Sequence, residues 1–245
     1  MHRNLLLISN STNAGEEYLA WPRTFIQDFL NKFGVRKVLF IPFAGVNLSP
    51  VGVEKSYDTY EERVNRIFSG LGFQLHSIHR ETNPVSAVDE AESIVVGGGN
   101  TFHLVMRMHQ TGIMEAIRRK VILGIPFIGW SAGANVACPT MMTTNDMPVC
   151  EPPSFSCLNL VPFQINPHYL DVNPAGHAGE TREQRILEYL TVNREVTVVG
   201  LREGCLLRAE GKNLGLTGKR PLRVFHFGEE PKEYEAGKDL SFLLH

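Results

Sequence analysis

Residues 129–133 read Gly-Trp-Ser-Ala-Gly, a G-x-S-x-G pattern. They close the apolar run Pro126–Trp130 and open the small-residue stretch Ala132–Ala137. A strand that turns sharply into a helix here would push the Ser131 hydroxyl out at the carboxyl edge of a sheet. The helix N-terminus beneath it would offer free N–H groups to a developing anion. That arrangement suits nucleophilic acyl transfer; a Gly/Ala turn chosen only for helix–sheet packing is the plainer alternative. A second loop, Gly97-Gly98-Gly99-Asn100-Thr101, follows the short apolar run Ile94–Val96. Three glycines let its backbone turn N–H groups outward, as a phosphate cradle or half of an oxyanion hole requires. It does not fit G-x-x-x-x-G-K-[ST]. Taken alone it reads better as a tight turn, with Asn100 or Thr101 capping a helix. Beside Ser131 the oxyanion reading is favoured, because both loops leave the same sheet edge.

A serine nucleophile needs a base, and the base needs an orienting acid. His168, in Asn166-Pro167-His168-Tyr169, is the best placed of nine histidines, since the proline restricts Asn166 and stiffens the loop. His103 and His109 fall in helical patterning and read as packing or surface residues. His177, in a glycine-bearing loop, suits substrate binding better than proton transfer. His76 and His79 lie three apart in an apparent strand, where side chains alternate faces, and read as ordinary histidines rather than metal ligands. Glu203, after the run Val196–Leu201, competes with Asp146 and Asp171 for the role of acid. The residues alone do not choose among the three.

The elements that would position these groups alternate. Leu5–Ser9 and Val38–Ile41 read as strands buried on both faces. Between them Phe25, Phe29 and Phe33 mark a helix, and Val64, Ile67, Phe68 and Leu71 mark another. Phe73–Ile78 predicts a third strand, Asp89–Val96 leads into a fourth, and Pro126–Trp130 is a fifth. Helices are expected around Leu104–Met108 and over Ile113–Leu123. Residues 139–174 read as long loops around a short strand near Val161–Ile165. Thr181–Leu190 returns to helix, with Thr181 and Gln184 spaced as a capping box. Cys205–Ala209, Leu214–Leu216 and Leu222–Phe227 read as antiparallel strands. This predicts an α/β fold: right-handed crossovers, a mostly parallel sheet covered by helices, and a small antiparallel C-terminal extension. No linker or repeat divides the chain, so residues 1–245 are expected to form one domain.

Composition narrows the function. Lysine and arginine number 24 against 26 acidic residues, for a net charge of −2, which argues against nucleic-acid binding by a basic face. No apolar run reaches the ~18 residues of a transmembrane helix, so no membrane partner is expected. Leu5–Ile8 is too short for a secretory signal. The four cysteines lack C-x-x-C spacing and read as reduced thiols of a cytoplasmic protein.

Six segments, in order, carry a more specific signal: GGGNTFHL at 97–104, GWSAGAN at 129–135, TTNDMP at 143–148, QINPH at 164–168, GETREQRI at 179–186 and Glu203-Gly204. Together they resemble the peptidase E family of cytosolic α-aspartyl dipeptidases, whose fold is similar to class I glutamine amidotransferases. The resemblance implies Ser131 as nucleophile, His168 as base and Glu203 as acid. Arg202 departs from the proline that often precedes the acid in that family. The expected reaction is hydrolysis of Asp-Xaa dipeptides through an acyl-enzyme, with Gly99 and Ala132 N–H groups holding the oxyanion. No metal or other cofactor is expected. Arg182, with His177 behind it, is the candidate for reading the acidic side chain, and the protein is expected to be a monomer or homodimer. Two alternatives stand beside this: hydrolysis of β-aspartyl or other acidic amides, and a non-catalytic module binding a small anion at Gly97–Gly99.

Overall fold

The computed structural model describes residues 3–173, 176 and 178–245. Five short segments form parallel strands: β1 (Asn4–Ile8), β2 (Lys37–Ile41), β3 (Gln74–Ser77), β4 (Ile94–Val96) and β5 (Phe127–Trp130). With β8 (Cys205–Glu210) and β9 (Asn213–Gly218) they make a seven-stranded sheet of order β3-β2-β4-β5-β1-β8-β9. Strand β8 pairs antiparallel with β1, and β9 antiparallel with β8. The first two strands of the C-terminal antiparallel extension therefore continue the main sheet.

Outside β3, whose Gln-Leu-His-Ser is mostly polar and only partly buried, the strand interiors are apolar because successive residues face two cores. Leu5, Leu7, Leu39, Ile41, Ile94, Val96 and Phe127 point into one. Leu6, Ile8, Val38, Phe40, Val95, Ile128 and Trp130 point into the other. Helices α1 (Arg23–Lys32) and α2 (Val53–Gly70) cover the second face. The first is covered by α3 (Pro84–Glu90), α4 (Thr101–Gln110), α5 (Ile113–Ile122) and α6 (Ala132–Asn135).

A second sheet of order β11-β10-β7-β6 is built from β6 (Gln164–Tyr169), β7 (Val198–Arg202), β10 (Leu222–Phe225) and β11 (Lys232–Tyr234). Here β6 and β7 run parallel, and β10 and β11 add antiparallel strands. Helix α7 (Arg182–Val192) packs on it through Ile186 and Leu190, which meet Tyr169, Val198 and Phe225. Its capping box is formed as expected, with Thr181 and Gln184 each accepting the other's backbone N–H. Three details differ from the sequence reading. The approach to β4 is not extended: Asn83 caps and Pro84 opens the helix α3, seven residues too short for periodicity to register. The strand expected near Val161–Ile165 begins only at Gln164. Strand β11 went unrecognised, because its Lys-Glu-Tyr carries no apolar alternation. Among the described residues no helix is long and apolar enough to cross a membrane.

Candidate active site

Ser131 sits at the turn from β5 into α6 with φ +54° and ψ −114°, a region that non-glycine residues rarely adopt. The turn is held from both sides. Ser131 donates its N–H to the Ile8 carbonyl at 3.0 Å, and its own carbonyl accepts from Ala134 and Asn135. A Cβ at Gly133 would overlap the Val96 carbonyl, and one at Gly129 would overlap the Gly133 carbonyl. The glycines of the motif therefore let α6 lie directly on β4 and β5.

The Gly97–Gly99 loop leaves β4, the parallel neighbour of β5, so the two loops do share one sheet edge. A side chain at position 98 would come within 2.9 Å of Ser131 Cβ, which measures how closely this loop approaches Ser131. Asn100 caps α4, accepting from the His103 N–H at 3.0 Å.

His168 comes from the second sheet. Pro167 pairs with Leu201 and Tyr169 with Arg202, leaving His168 as a bulge between them, with φ +53°. A bulge re-aims one side chain out of register, and here it turns the imidazole toward the main sheet. The N–H freed by the bulge donates to Ser9 Oγ at 3.0 Å. Ser9 donates in turn to the Leu201 carbonyl at 2.7 Å. One buried hydroxyl at the end of β1 thus ties the histidine to the strand that leads to the acid. Asn10 Oδ1 accepts from the Gly204 N–H at 2.8 Å and fixes the turn that carries Glu203.

These constraints align three side chains. His168 Nε2 lies 2.9 Å from Ser131 Oγ, and His168 Nδ1 lies 2.7 Å from Glu203 Oε1. A carboxylate can only accept, so Nδ1 carries the ring proton and Nε2 is left to accept from the serine hydroxyl. His168 and Glu203 side chains are 38% and 44% exposed, so water reaches the site.

The rival acids are committed elsewhere. Asp146 accepts from the Thr101 N–H at 2.7 Å and the Thr101 hydroxyl at 2.6 Å, closing the N-terminus of α4. Asp171 takes two bonds from Arg202, whose side chain is buried and which also holds Glu233 at 2.8 Å. Arg202 hence points away from Glu203 and braces the second sheet. Those bonds hold the Asp171 carboxyl below its usual range.

A pocket of about 360 Å³ opens over Ser131 and His168. Its wall includes Tyr18, Leu48, Tyr60, Arg63, Gly98 and Gly99. Arg182 does not line it; that residue lines a separate pocket of about 220 Å³ with Asn145, Asp146, Asn166 and Tyr189. His177 lies outside the described residues. His103 and His109 bond to the Phe43 and Ser156 carbonyls, as packing residues would. His79 parts from His76 and sits with Asp58 and Glu61. Arg80, at 2.6 and 2.9 Å, already supplies the countercharge to both acids. Ser9, Asn10 and Tyr60 are functional neighbours that sequence reasoning passed over. Each reads as an ordinary strand-end or helix residue, and their partners lie 38 to 194 positions away.

Known proteins agree with this architecture. Residues 5–217 match the family model described as peptidase family S51. A peptidase E of Nostoc sp. is 48% identical over 244 residues, covering 100% of this chain and 98% of its own. One of Streptomyces coelicolor is 46% identical, covering 98% of this chain and 95% of its own. The crystal structure of a peptidase from an acI-B1 Actinobacterium has a TM-score of 0.71 at 17% identity, with 99% of this chain and 98% of that one covered. A putative peptidase E from Listeria monocytogenes scores 0.63 at 21%, covering 89% and 100%. The two structures speak to the fold alone. Relatives near half identical along the whole length, and a family model spanning most of it, establish that the chain belongs to peptidase family S51.

Proposed function

We propose that this peptidase is a serine exopeptidase that removes an N-terminal aspartate from α-Asp-Xaa dipeptides. The observation that carries the reading is the Ser131–His168–Glu203 chain of hydrogen bonds at the mouth of one pocket. Ser131 Oγ attacks the peptide carbonyl carbon while its proton passes to His168 Nε2. Glu203 stabilises the imidazolium through Nδ1. The carbonyl oxygen, now an anion, is held by the N–H groups of Gly99 and Ala132. His168 then gives its proton to the leaving amine as the C–N bond breaks. Water, deprotonated by the same nitrogen, hydrolyses the aspartyl ester and regenerates Ser131.

A pocket of about 360 Å³ lies near the small end of ligand sites, ~300–1,000 Å³, which favours a dipeptide over a long chain. The relatives' name, peptidase E, supports peptide hydrolysis. We assign the aspartate carboxylate to Arg182. Arg182 lines the pocket of Asn145 and Asn166, and Asn145 donates to the Pro167 carbonyl, one residue from His168, at 2.7 Å, so this pocket adjoins the histidine. Arg63, which lines the Ser131 pocket itself, is the comparator. Four free cysteines favour a cytoplasmic setting.

The test is hydrolysis of α-Asp-Leu, β-Asp-Leu, Asn-Leu and Ala-Leu by the pure protein in chelator. Only α-Asp-Leu should turn over well; faster cleavage of the β-linked or uncharged peptides would overturn the substrate assignment. Arg182→Met should cost α-Asp-Leu about 30- to 4,000-fold in kcat/KM, equivalent to ~2–5 kcal/mol, and Asn-Leu far less. If Arg63→Met produces that pattern and Arg182→Met does not, the carboxylate belongs to Arg63.

A further inference from the structure

Tyr60 is a fully buried phenol in the middle of α2, and its surroundings are built around its hydroxyl. The Tyr60 Oη donates to the Gly98 carbonyl at 2.9 Å. It receives the Trp130 indole N–H at 3.1 Å and the Tyr18 hydroxyl at 3.0 Å. The directions are fixed by chemistry. An indole N–H can only donate and a carbonyl can only accept, so the single Tyr60 proton goes to Gly98 and Tyr18 must donate. Burial pushes the Tyr60 phenol up to about 12, so the donor persists at any ordinary pH.

Two glycines make room for this ring. A Cβ at Gly97 would fall 2.6 Å from Tyr60 Oη, and one at Gly45 would overlap the ring edge. Neither glycine has a positive φ, so the backbone does not demand them; the ring does. The rest of the loop is pinned by the Gly97 N–H on Ile41 and the Asn100 N–H on Ala44, at 3.1 and 2.8 Å. Among the described residues, the Gly99 N–H has no protein acceptor.

In a planar trans peptide the C=O and the following N–H point in opposite directions. Holding the Gly98 carbonyl toward α2 therefore aims the Gly99 N–H the other way. We propose that Tyr60 is the positioning residue of the oxyanion hole, locking the Gly98–Gly99 peptide so that its N–H faces the carbon attacked by Ser131. This rests on the serine-peptidase reading above. Trp130 couples the device to the nucleophile directly, since it is the residue before Ser131 and orients the phenol that orients the hole. Without the phenol, that peptide is free to rotate, and the Gly98 carbonyl could turn toward the developing anion.

The test uses Tyr60→Phe, which keeps the ring and removes the donor. Turnover of α-Asp-Leu should lose about 10- to 100-fold in kcat, less than the ~10²–10³ that outright loss of one oxyanion donor costs, while KM stays within about twofold. Affinity for a boronic-acid analogue of the tetrahedral adduct should fall by the same factor, and affinity for aspartate should not. Tyr60→4-aminophenylalanine, which restores an N–H donor at that point, should recover most of the loss. A folded Tyr60→Phe protein with kcat within twofold of the parent, or with its loss carried by KM, overturns the proposal. Labelling of Ser131 by a fluorophosphonate is measured alongside, because it needs the same hole but no particular substrate. A parent protein that labels yet ignores α-Asp-Leu fails the substrate reading and leaves Tyr60 to be judged by its labelling rate. A parent that does not label overturns both. Should Tyr60→Phe melt below the assay temperature, Tyr18→Phe is read instead. It leaves Tyr60 in place and removes one of its two orienting donors. It should lower kcat or labelling about threefold to tenfold, and an unchanged rate overturns the proposal.

Discussion

Ser131 is held in a strained conformation by bonds to Ile8, Ala134 and Asn135, none of which uses its hydroxyl. Ser131→Ala should therefore abolish turnover while leaving the melting temperature within a few degrees, read by peptide hydrolysis and thermal melts. Glu203→Gln keeps the shape but removes the charge that steadies the imidazolium, so kcat should fall about 10²–10⁴-fold, as for other triad acids. Asp146→Asn and Asp171→Asn should leave kcat far less affected; a larger loss from either would displace Glu203. Ser9 makes a different prediction. Ser9→Ala strands the His168 N–H and the Leu201 carbonyl in a buried place, costing about 1–3 kcal/mol of stability, and lets the bulge drift. Stability by denaturant titration and kcat should fall together. Two of these residues could be read from the sequence because chemistry restricts what can stand there: an elbow serine and a proline-braced histidine. Glu203 comes only from the family resemblance, since the choice among it, Asp146 and Asp171 depends on which carboxylate is already taken by Thr101 or Arg202.

The loops of β4 and β5 work because α6 lies flush against both strands. Adding one methyl at Gly133 would force it into the Val96 carbonyl. Gly133→Ala should cost stability on the order of 1–3 kcal/mol, the usual price of overpacking, and kcat should drop with it as the elbow shifts. An unchanged melting curve would mean the turn has more slack than its spacing allows. Long amphipathic helices and all-apolar strands announced themselves, because burial on two faces leaves no room for polar residues. Short elements did not. Helix α3 is seven residues and β11 three, below the length at which a period can be distinguished from chance. The bulge at His168 was equally invisible, since register is a property of two strands and not of one.

Ser131 follows β5 of the seven-stranded sheet, His168 lies in β6 of the four-stranded one, and Glu203 sits in the turn from β7 of the small sheet to β8 of the large, so the triad exists only while the two sheets stay docked. Arg202, ion-paired to Asp171 and Glu233, braces the smaller sheet. Arg202 bonds hold Asp171 below its usual value. For Glu233, burial pushes upward, yet its bonds to Arg202 and Arg223 outweigh it and the net shift is down. A depressed folded value stabilises above the unfolded one, about 4, and the gain is lost as pH falls through the folded value. Asp171→Asn should lower the melting temperature by about 2–4 °C at pH 7, a modest amount because Asp171 is half exposed. The difference should narrow as pH falls below about 4; a constant gap would mean the ion pair is not the cause. The α/β class was legible from alternation alone, but the partition into two sheets was not, because β6 and β7 look like any buried parallel strands. The pairing of β1 with β8 also carries a consequence in time. Leu5–Ile8 are made first, yet the neighbour that covers one side of them arrives about 200 residues later, with Ile8 meeting Leu206 and Asn4 meeting Glu210. At ~5–20 residues per second an apolar strand waits roughly 10–40 s with an open edge. Glu203 emerges in the same moment as that cover. A growing chain thus carries its serine disarmed until the edge is about to close, and a chain stopped at residue 204 should be found in the insoluble fraction.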